Sequence, residues 1–278
     1  MKKLLTFFSL LSTFFSFAQT TCTPINNTFK SNEIFSYKIY YSWGAIWVAA
    51  GEASFSAVKT ELNNQHVYHF IGLGSTYPKY DWFYKVNDKY ESYADTLTLK
   101  PLRFKREARE GGNYTFDDYV FNGRKKKVYT ASKRDSKPIK YDSLSITSCT
   151  NDVLTAIYYT RCIDFSSYKI KDTIPVTFVL DGEVFPSYVR YLGTEVIHSE
   201  TLGDVRCIKF RPKLIAGTLF KGGEGMTVWV TDDKNRMPVY VETPIVVGTI
   251  KVHLLKYSGL RNKLDCLVEK KAIPSKKK

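Results

Sequence analysis

Apolar and polar residues alternate with a period of two along much of the chain. Over 33–41, Phe35, Tyr37, Ile39 and Tyr41 fall on one face, the spacing of a half-buried β-strand. Trp43-Gly44 reads as a turn. Trp47, Ala49, Gly51, Ala53, Phe55 and Ala57 then share a face made largely of small residues. Small side chains on a concave sheet leave room for a bulky element, and Gly51 marks a bulge or bend there. A strand over 67–71 is broken by Gly72 and Gly74, and 80–93 is dense in aromatics (Trp82, Phe83, Tyr84, Tyr90, Tyr93). Residues 114–121 and 125–131 flank Asn122-Gly123, the signature of a hairpin with a two-residue turn. A polar loop over 132–143 follows. Later strands are predicted at 174–180, 184–193, 194–200, 205–211, 226–231, 238–243 and 245–257, with turns at Asp181-Gly182 and Asp232-Asp233-Lys234-Asn235. In the strand before the last of these turns, Met226, Val228 and Val230 line one face and Trp229 the other.

One stretch breaks this rhythm. Over 150–162, Val153, Leu154, Ile157 and Tyr158 recur as one helical stripe, and Ala156 and Tyr159 extend it around the cylinder. Thr150 or Asn151 caps the start. Asp152 sits near the positive end of the helix dipole and Arg161 near the negative end, so dipole compensation accounts for both. The alternative for Arg161 is a buried ion pair with Glu52 or Glu195. A helix this apolar requires cover on several sides, and a curling sheet is the simplest cover. The predicted fold is mainly β: a strongly curved antiparallel sheet, a half-barrel or open barrel, wrapped around one central α-helix. Residues 19–265 form one β-rich domain, and 266–278 form a basic C-terminal tail with Lys270, Lys271, Lys276, Lys277 and Lys278.

Residues 1–18 read as an export signal. Lys2 and Lys3 precede an apolar run too short to span a bilayer, and Ser16-Phe17-Ala18 supplies small residues for cleavage after Ala18. The expected location is periplasmic or outer-membrane-associated, with no transmembrane segment in the mature chain. Gln19, Thr20 and Thr21 lack the pattern that acylation of Cys22 needs. Cys22, Cys149, Cys162, Cys207 and Cys266 are odd in number, so at least one thiol stays free unless it pairs between chains. Cys149 and Cys162 flank the helix too far apart to bond, whereas Cys207 can pair with Cys266.

Several landmarks taken together resemble an exported bacterial family, the domain of unknown function 3108. They are Phe29 and Glu33 followed by Tyr37 and Tyr41; Gly51-Glu52-Ala53; the helix from Asp152 to Arg161; Gly193-Thr194-Glu195 with Gly203; Trp229 with Asp232-Asp233 and Met237-Pro238; and Gly248-Thr249-Ile250. The family usually has Gly where this chain has Asn32. The resemblance implies an exported antiparallel β fold and supplies no catalytic residue. Its half-open sheet is also similar to lipoprotein carriers that hold acyl chains between a curved sheet and helices.

The residues themselves offer little chemistry. His66 and His69 lie three apart in a strand and face opposite ways, and no G-x-S-x-G elbow or phosphate loop is present, so no metal, cofactor or catalytic residue is assigned. Gly222-Gly223-Glu224-Gly225 reads as a loop. The formal charge is +14, and Arg103, Lys105, Arg106, Arg124, Lys125, Lys126 and Lys127 are the candidate contacts for an anionic group. The structural candidates are Gly51, Asp152, Tyr158, Arg161 and Trp229. Nucleic acid is not an expected partner, because no binding module is present. The expected function is non-enzymatic: binding or carrying an amphipathic envelope ligand, such as a lipid or an anionic glycan. Its apolar part would lie on the concave face and its anionic part on the basic hairpin. The alternatives are an envelope assembly protein with protein partners and an unrecognised hydrolase.

Overall fold

Alternation over long stretches produces long strands. The computed structural model describes residues 22–82, 84–216 and 221–269. The export signal, Phe83 and the basic residues from Lys270 onward lie outside them. In chain order the elements are β1 (Glu33–Trp43), β2 (Ile46–Leu62), β3 (Gln65–Thr76), β4 (Val86–Asp95), β5 (Pro101–Glu110), β6 (Asn113–Asn122), β7 (Lys127–Arg134), β8 (Lys140–Ser145), β9 (Thr150–Asp152) and helix α1 (Val153–Arg161). After the helix come β10 (Thr173–Leu180), β11 (Glu183–Ser199), β12 (Gly203–Pro212), β13 (Leu214–Ala216), β14 (Lys221–Gly223), β15 (Thr227–Thr231), β16 (Pro238–Pro244) and β17 (Thr249–Ser258). All but β13 and β14 join one 15-stranded sheet, ordered β8-β7-β6-β5-β4-β3-β2-β1-β17-β16-β15-β12-β11-β10-β9. Every pairing is antiparallel except β9 with β10. The fold is mostly β with one α-helix, in a large curved sheet that does not close into a barrel.

The helix lies inside the curve, packed mainly on β3, β4, β9 and β10. Leu154 and Tyr158 join Phe29, Phe70, Phe104 and Tyr119 in one core cluster, while Ala156 joins Phe165, Ile174, Val189 and Phe210 in another. The expected stripe is corrected at one position: Ile157 faces solvent at 43 % exposure, and Thr155, Thr160 and Arg161 are buried instead. Polar side chains turn inward because each has a partner there. The cap is also corrected. Thr150 and Asn151 belong to β9, and Asp152 is the N-cap, accepting from the Leu154 and Thr155 amides at 2.9 and 2.8 Å.

Strand phase shows where period-two reading fails. Gly51 pairs with Ile39 and Ala49 with Tyr40, so Ala50 is an extra residue in β2. The bulge at Gly51 is therefore present, and it reverses the face of everything before it. Trp47 leaves the expected small-residue face and stacks on Tyr40 outside, with centroids 5.4 Å apart. A Cβ at Gly51 would overlap the Ser75 carbonyl oxygen, so only glycine fits. Four smaller expectations change as well. β3 runs unbroken through Gly72 and Gly74, and the expected 132–143 loop includes strand β8. The β6–β7 turn has four residues, set by Asn122 Oδ1 accepting the Lys125 amide at 3.0 Å. β11 is one strand with a bulge rather than two.

The basic tail begins later than expected. Cys266 is fully buried, and Leu267 bridges to Val205, which covers the outward face of Trp229. The disulfide joins Cys22 to Cys149. It occupies the sulfur that a lipid anchor on Cys22 would need. Cys162, Cys207 and Cys266 are free.

Candidate functional site

Strands that alternate in direction sort the turns onto two rims. The upper rim carries the ends of β1, β3 and β16 and the starts of β2, β4 and β17. The lower rim carries the β2–β3 and β6–β7 turns and the start of β1.

The lower rim is sealed. Arg161, at the end of α1, is buried and meets Glu33 at the start of β1 through two bonds of 2.6 and 3.0 Å. Its remaining donors reach the Asn235 and Arg236 carbonyls at 2.9 and 3.1 Å. The guanidinium also sits over the Phe29, Phe35 and Tyr158 rings at 5.0–5.5 Å. The expected partners, Glu52 and Glu195, are elsewhere: Glu52 accepts from Tyr77, and Glu195 accepts from Trp229 and pairs with Lys209. A dipole effect on a solvated arginine does not describe this side chain, because four directed bonds hold it in the core.

At the N-terminal end of the helix, Ser92, Asp152 and Thr155 form a buried polar triangle. Ser92 donates to Asp152 Oδ2 at 2.6 Å, and Thr155 donates to the same oxygen at 2.7 Å. Burial pushes the Asp152 carboxyl up, and the bonds from Ser92 and Thr155 oppose it. All three side chains are fully enclosed, so Ser92 is not an accessible nucleophile. Tyr158 is stacked on Phe70 at 3.8 Å, and its hydroxyl has no hydrogen-bond partner.

Above the helix the interior has two unlike walls. On one, Phe210, Val228, Val241, Val252 and Ile39 lie side by side across β12, β15, β16, β17 and β1. Toward the rim, Tyr41 pairs with Val48 and Ile250, and Trp43 with Ile46. Most of these are half-buried, but Trp43 and Ile46 are exposed. Alternation puts them on the same face as core residues Tyr37 and Leu254. The result is a continuous apolar strip on the inner face, from the core to the upper rim, along the trough of the curved sheet.

The facing wall is charged. Arg106 donates to Asp117 at 2.7 Å and also to Asp181 in the β10–β11 turn. Arg134 reaches Asp117 and Asp181, each at 3.0 Å. The Gly182 amide donates to the Tyr119 hydroxyl at 3.0 Å. These contacts draw the β10–β11 hairpin against β5, β6 and β7 where no backbone ladder joins them. Nearby, burial and then Glu110 push the Asp88 carboxyl up to about 7.

The expected anion contacts divide. Arg103 is corrected, since Asp118 holds it through bonds of 2.9 and 2.6 Å. Arg106 is corrected too, because it belongs to the charged wall. Arg106 lies opposite Asp117 on the neighbouring strand and Arg103 diagonally from Asp118, which a linear count of cations does not reveal. Lys105 stands between Asp118 and Glu91 in register. Arg124, Lys125, Lys126 and Lys127 are exposed in the β6–β7 turn on the lower rim. The basic hairpin is therefore at the opposite end from the trough. The aromatics expected over 77–93 are dispersed: Tyr90 packs inward on Phe104, Tyr93 stacks outward on His69, and Trp82 is exposed. Glu224, expected in a loop, accepts from Arg190 and Tyr188, which hold its carboxyl down at about 2.

Among the described residues no cluster of His, Cys, Asp and Glu is arranged to hold a metal, and no helix is long and apolar enough to cross a membrane. An open depression of about 440 Å³ lies at the lower rim, lined by Lys59, Thr60, Glu61, His66 and Thr96. The trough was not legible in the sequence, although the apolar turn Ile245-Val246-Val247 was a signal for its lip: turns are normally polar.

The family model described as "Protein of unknown function (DUF3108)" matches residues 36–255, and the chain belongs to that family. Among solved structures, the fold is similar to a β-barrel-like protein of domain of unknown function DUF1849 from Brucella abortus. The TM-score is 0.56 at 10 % identity, covering 83 % of this chain and 98 % of that one. Comparison with curated proteins returns no match.

Proposed function

We propose that this member of the DUF3108 family is an exported, non-catalytic binding protein of the cell envelope that takes the apolar part of an amphipathic ligand, such as a lipid, into the trough at the upper rim. The observation that carries this reading is the half-buried apolar strip from Val228 to Ile39, continued by Tyr41 and Val48 to an exposed aromatic lip. Apolar side chains facing the interior of a curved sheet suit an acyl chain, and a charged wall opposite suits a polar head. The lower-rim lysines are too far along the strands to meet the head of the same ligand. The enclosed Ser92, Asp152 and Thr155 group supports a non-catalytic role, because substrate has no route to it.

The test is mass spectrometry of protein purified without detergent, comparing wild type with Val252→Lys. The longer side chain can extend toward the rim and spare the fold. Retained lipid in wild type and at least ~10-fold less in the variant is the expected result. Equal lipid in both, or none in either, overturns the reading.

A further inference from the structure

The exposed tryptophans of the described residues gather at the upper rim. Three of the chain's four tryptophans, Trp43, Trp47 and Trp82, are exposed there, and the fourth, Trp229, is buried beneath the C-terminal segment. Trp43 and Ile46 occupy the β1–β2 turn, and Val246 and Val247 the β16–β17 turn beside it. The two turns are held together by β1–β17 pairing that runs out to Ser42 and Thr249. Exposed apolar residues on two adjoining turns form a projecting edge rather than a groove. A protein partner that buried such an edge would need a matching cleft; a bilayer interface accepts it without one.

Cations accompany the rings. Lys251 lies over Trp47 at 5.0 Å, Lys79 over Tyr80 at 4.9 Å and Lys213 over Tyr188 at 5.6 Å. Tryptophan and tyrosine with lysines alongside is the pattern that settles at the headgroup level of a membrane, with rings at the acyl boundary and ammonium groups among phosphates. The chain's formal charge of +14, about +12 without Lys2 and Lys3 of the export signal, adds a long-range pull toward an anionic surface. We infer that the upper rim docks on a lipid bilayer containing anionic headgroups, with Trp43, Ile46, Trp47, Val246 and Val247 entering the interface. The docked orientation points the mouth of the trough at the membrane, so the inference rests on the proposed function for its purpose, although not for its geometry.

Vesicles of phosphatidylcholine, with or without about 30 % phosphatidylglycerol, provide the test. Exposed tryptophans dominate the intrinsic fluorescence, so docking reads directly as a blue shift alongside co-sedimentation. Wild type should partition to both vesicles and more strongly to the anionic ones. Trp43→Ala with Val247→Asp should reduce partitioning by about tenfold or more. Both substitutions sit on exposed positions at the rim and should leave the circular dichroism spectrum unchanged. Replacing Arg124, Lys125, Lys126 and Lys127 by Ser on the opposite rim should change binding to neutral vesicles less than twofold. Wild type that stays in solution with both vesicle types, or a rim variant that binds as wild type does, overturns the inference. Loss of lipid from Val252→Lys with normal vesicle binding is the expected pairing, because Val252 lies in the trough and not on the docking edge. Retained lipid with no vesicle binding would remove docking alone.

Discussion

Arg161 and Glu33 are separated by 128 positions in sequence and joined by two hydrogen bonds at the lower rim. Replacing Arg161 with Met keeps much of the volume and removes the charge. Glu33, which has no exposed surface, would then lose both of its bonds to the guanidinium, and the Asn235 and Arg236 carbonyls would lose a donor each. Breaking a buried pair from one side costs about 3–5 kcal/mol, and the orphaned carbonyls put this case at the upper end. Glu33→Gln leaves Arg161 its two carbonyl contacts and should cost about 3 kcal/mol. The double variant, Glu33→Leu with Arg161→Met, removes the charge from both sides. It should recover about 2 kcal/mol or more relative to the sum of the single changes.

Urea unfolding under oxidising conditions, followed by far-ultraviolet circular dichroism, measures each difference. For a chain of this size, about 4 kcal/mol corresponds to roughly 8–16 °C in Tm. A cost below about 1 kcal/mol for Arg161→Met would mean that the pair is solvated and the lower rim open. A double variant as damaged as the two single changes added together would mean that the residues do not interact. Either result refutes the sealed-rim reasoning.

Two further outcomes follow from local geometry. Gly51→Ala forces a methyl group into the Ser75 carbonyl oxygen and should cost about 2–4 kcal/mol. Gly74→Ala, with nothing within 4 Å of the added carbon, should be close to neutral in the same urea unfolding; equal losses would discount the close approach. Asp88 has a folded pKa of about 7 against an ordinary 3.8. Its favourable contribution is therefore complete below the ordinary value and lost as pH rises through about 7. Asp88→Asn should match wild type near pH 4 and be more stable at pH 8 by about 1 kcal/mol, after discounting for partial exposure. Urea midpoints at the two pH values decide it, and a variant no more stable at pH 8 would assign the charge to solvent.

What could be read from the sequence was set by local spacing. The helix, its burial on several sides, the outward turn of Trp229 and the irregularity at Gly51 all come from neighbours within a few residues. The largest failures depend on residues far apart in sequence. The partner of Arg161 sits at the other end of the domain, and a carboxylate at 33 gives no local sign of whether it faces solvent or core. Ile157 looks like part of an apolar stripe until Thr155 and Arg161 find partners inside and turn it outward. Trp47 changed faces because one extra residue at 50 inverted the alternation. Arg103 and Arg106 were the more recoverable errors. Once the β5–β6 hairpin is recognised, register places Asp118 and Asp117 near them, and two of the apparent free cations are paired.

The two rims differ because the open sheet is held to what it encloses by two different means. At the bottom, closure depends on a dry bidentate pair, with carbonyls and aromatic rings around one guanidinium. Higher up, the β10–β11 hairpin is held to β5, β6 and β7 by ion pairs in which Asp181 is 56 % and Arg134 33 % exposed. Charges that water reaches are screened and contribute little each, whereas the enclosed pair is costly to break from one side. A helix of only 9 residues cannot fill a sheet whose longest strands have 17, so its length leaves the upper interior to side chains alone. There the chain places apolar residues on β1 and β15–β17, and charge on β4–β6. That division makes the unfilled half of the curve amphipathic, and it arises from strand order and helix length rather than from any single motif.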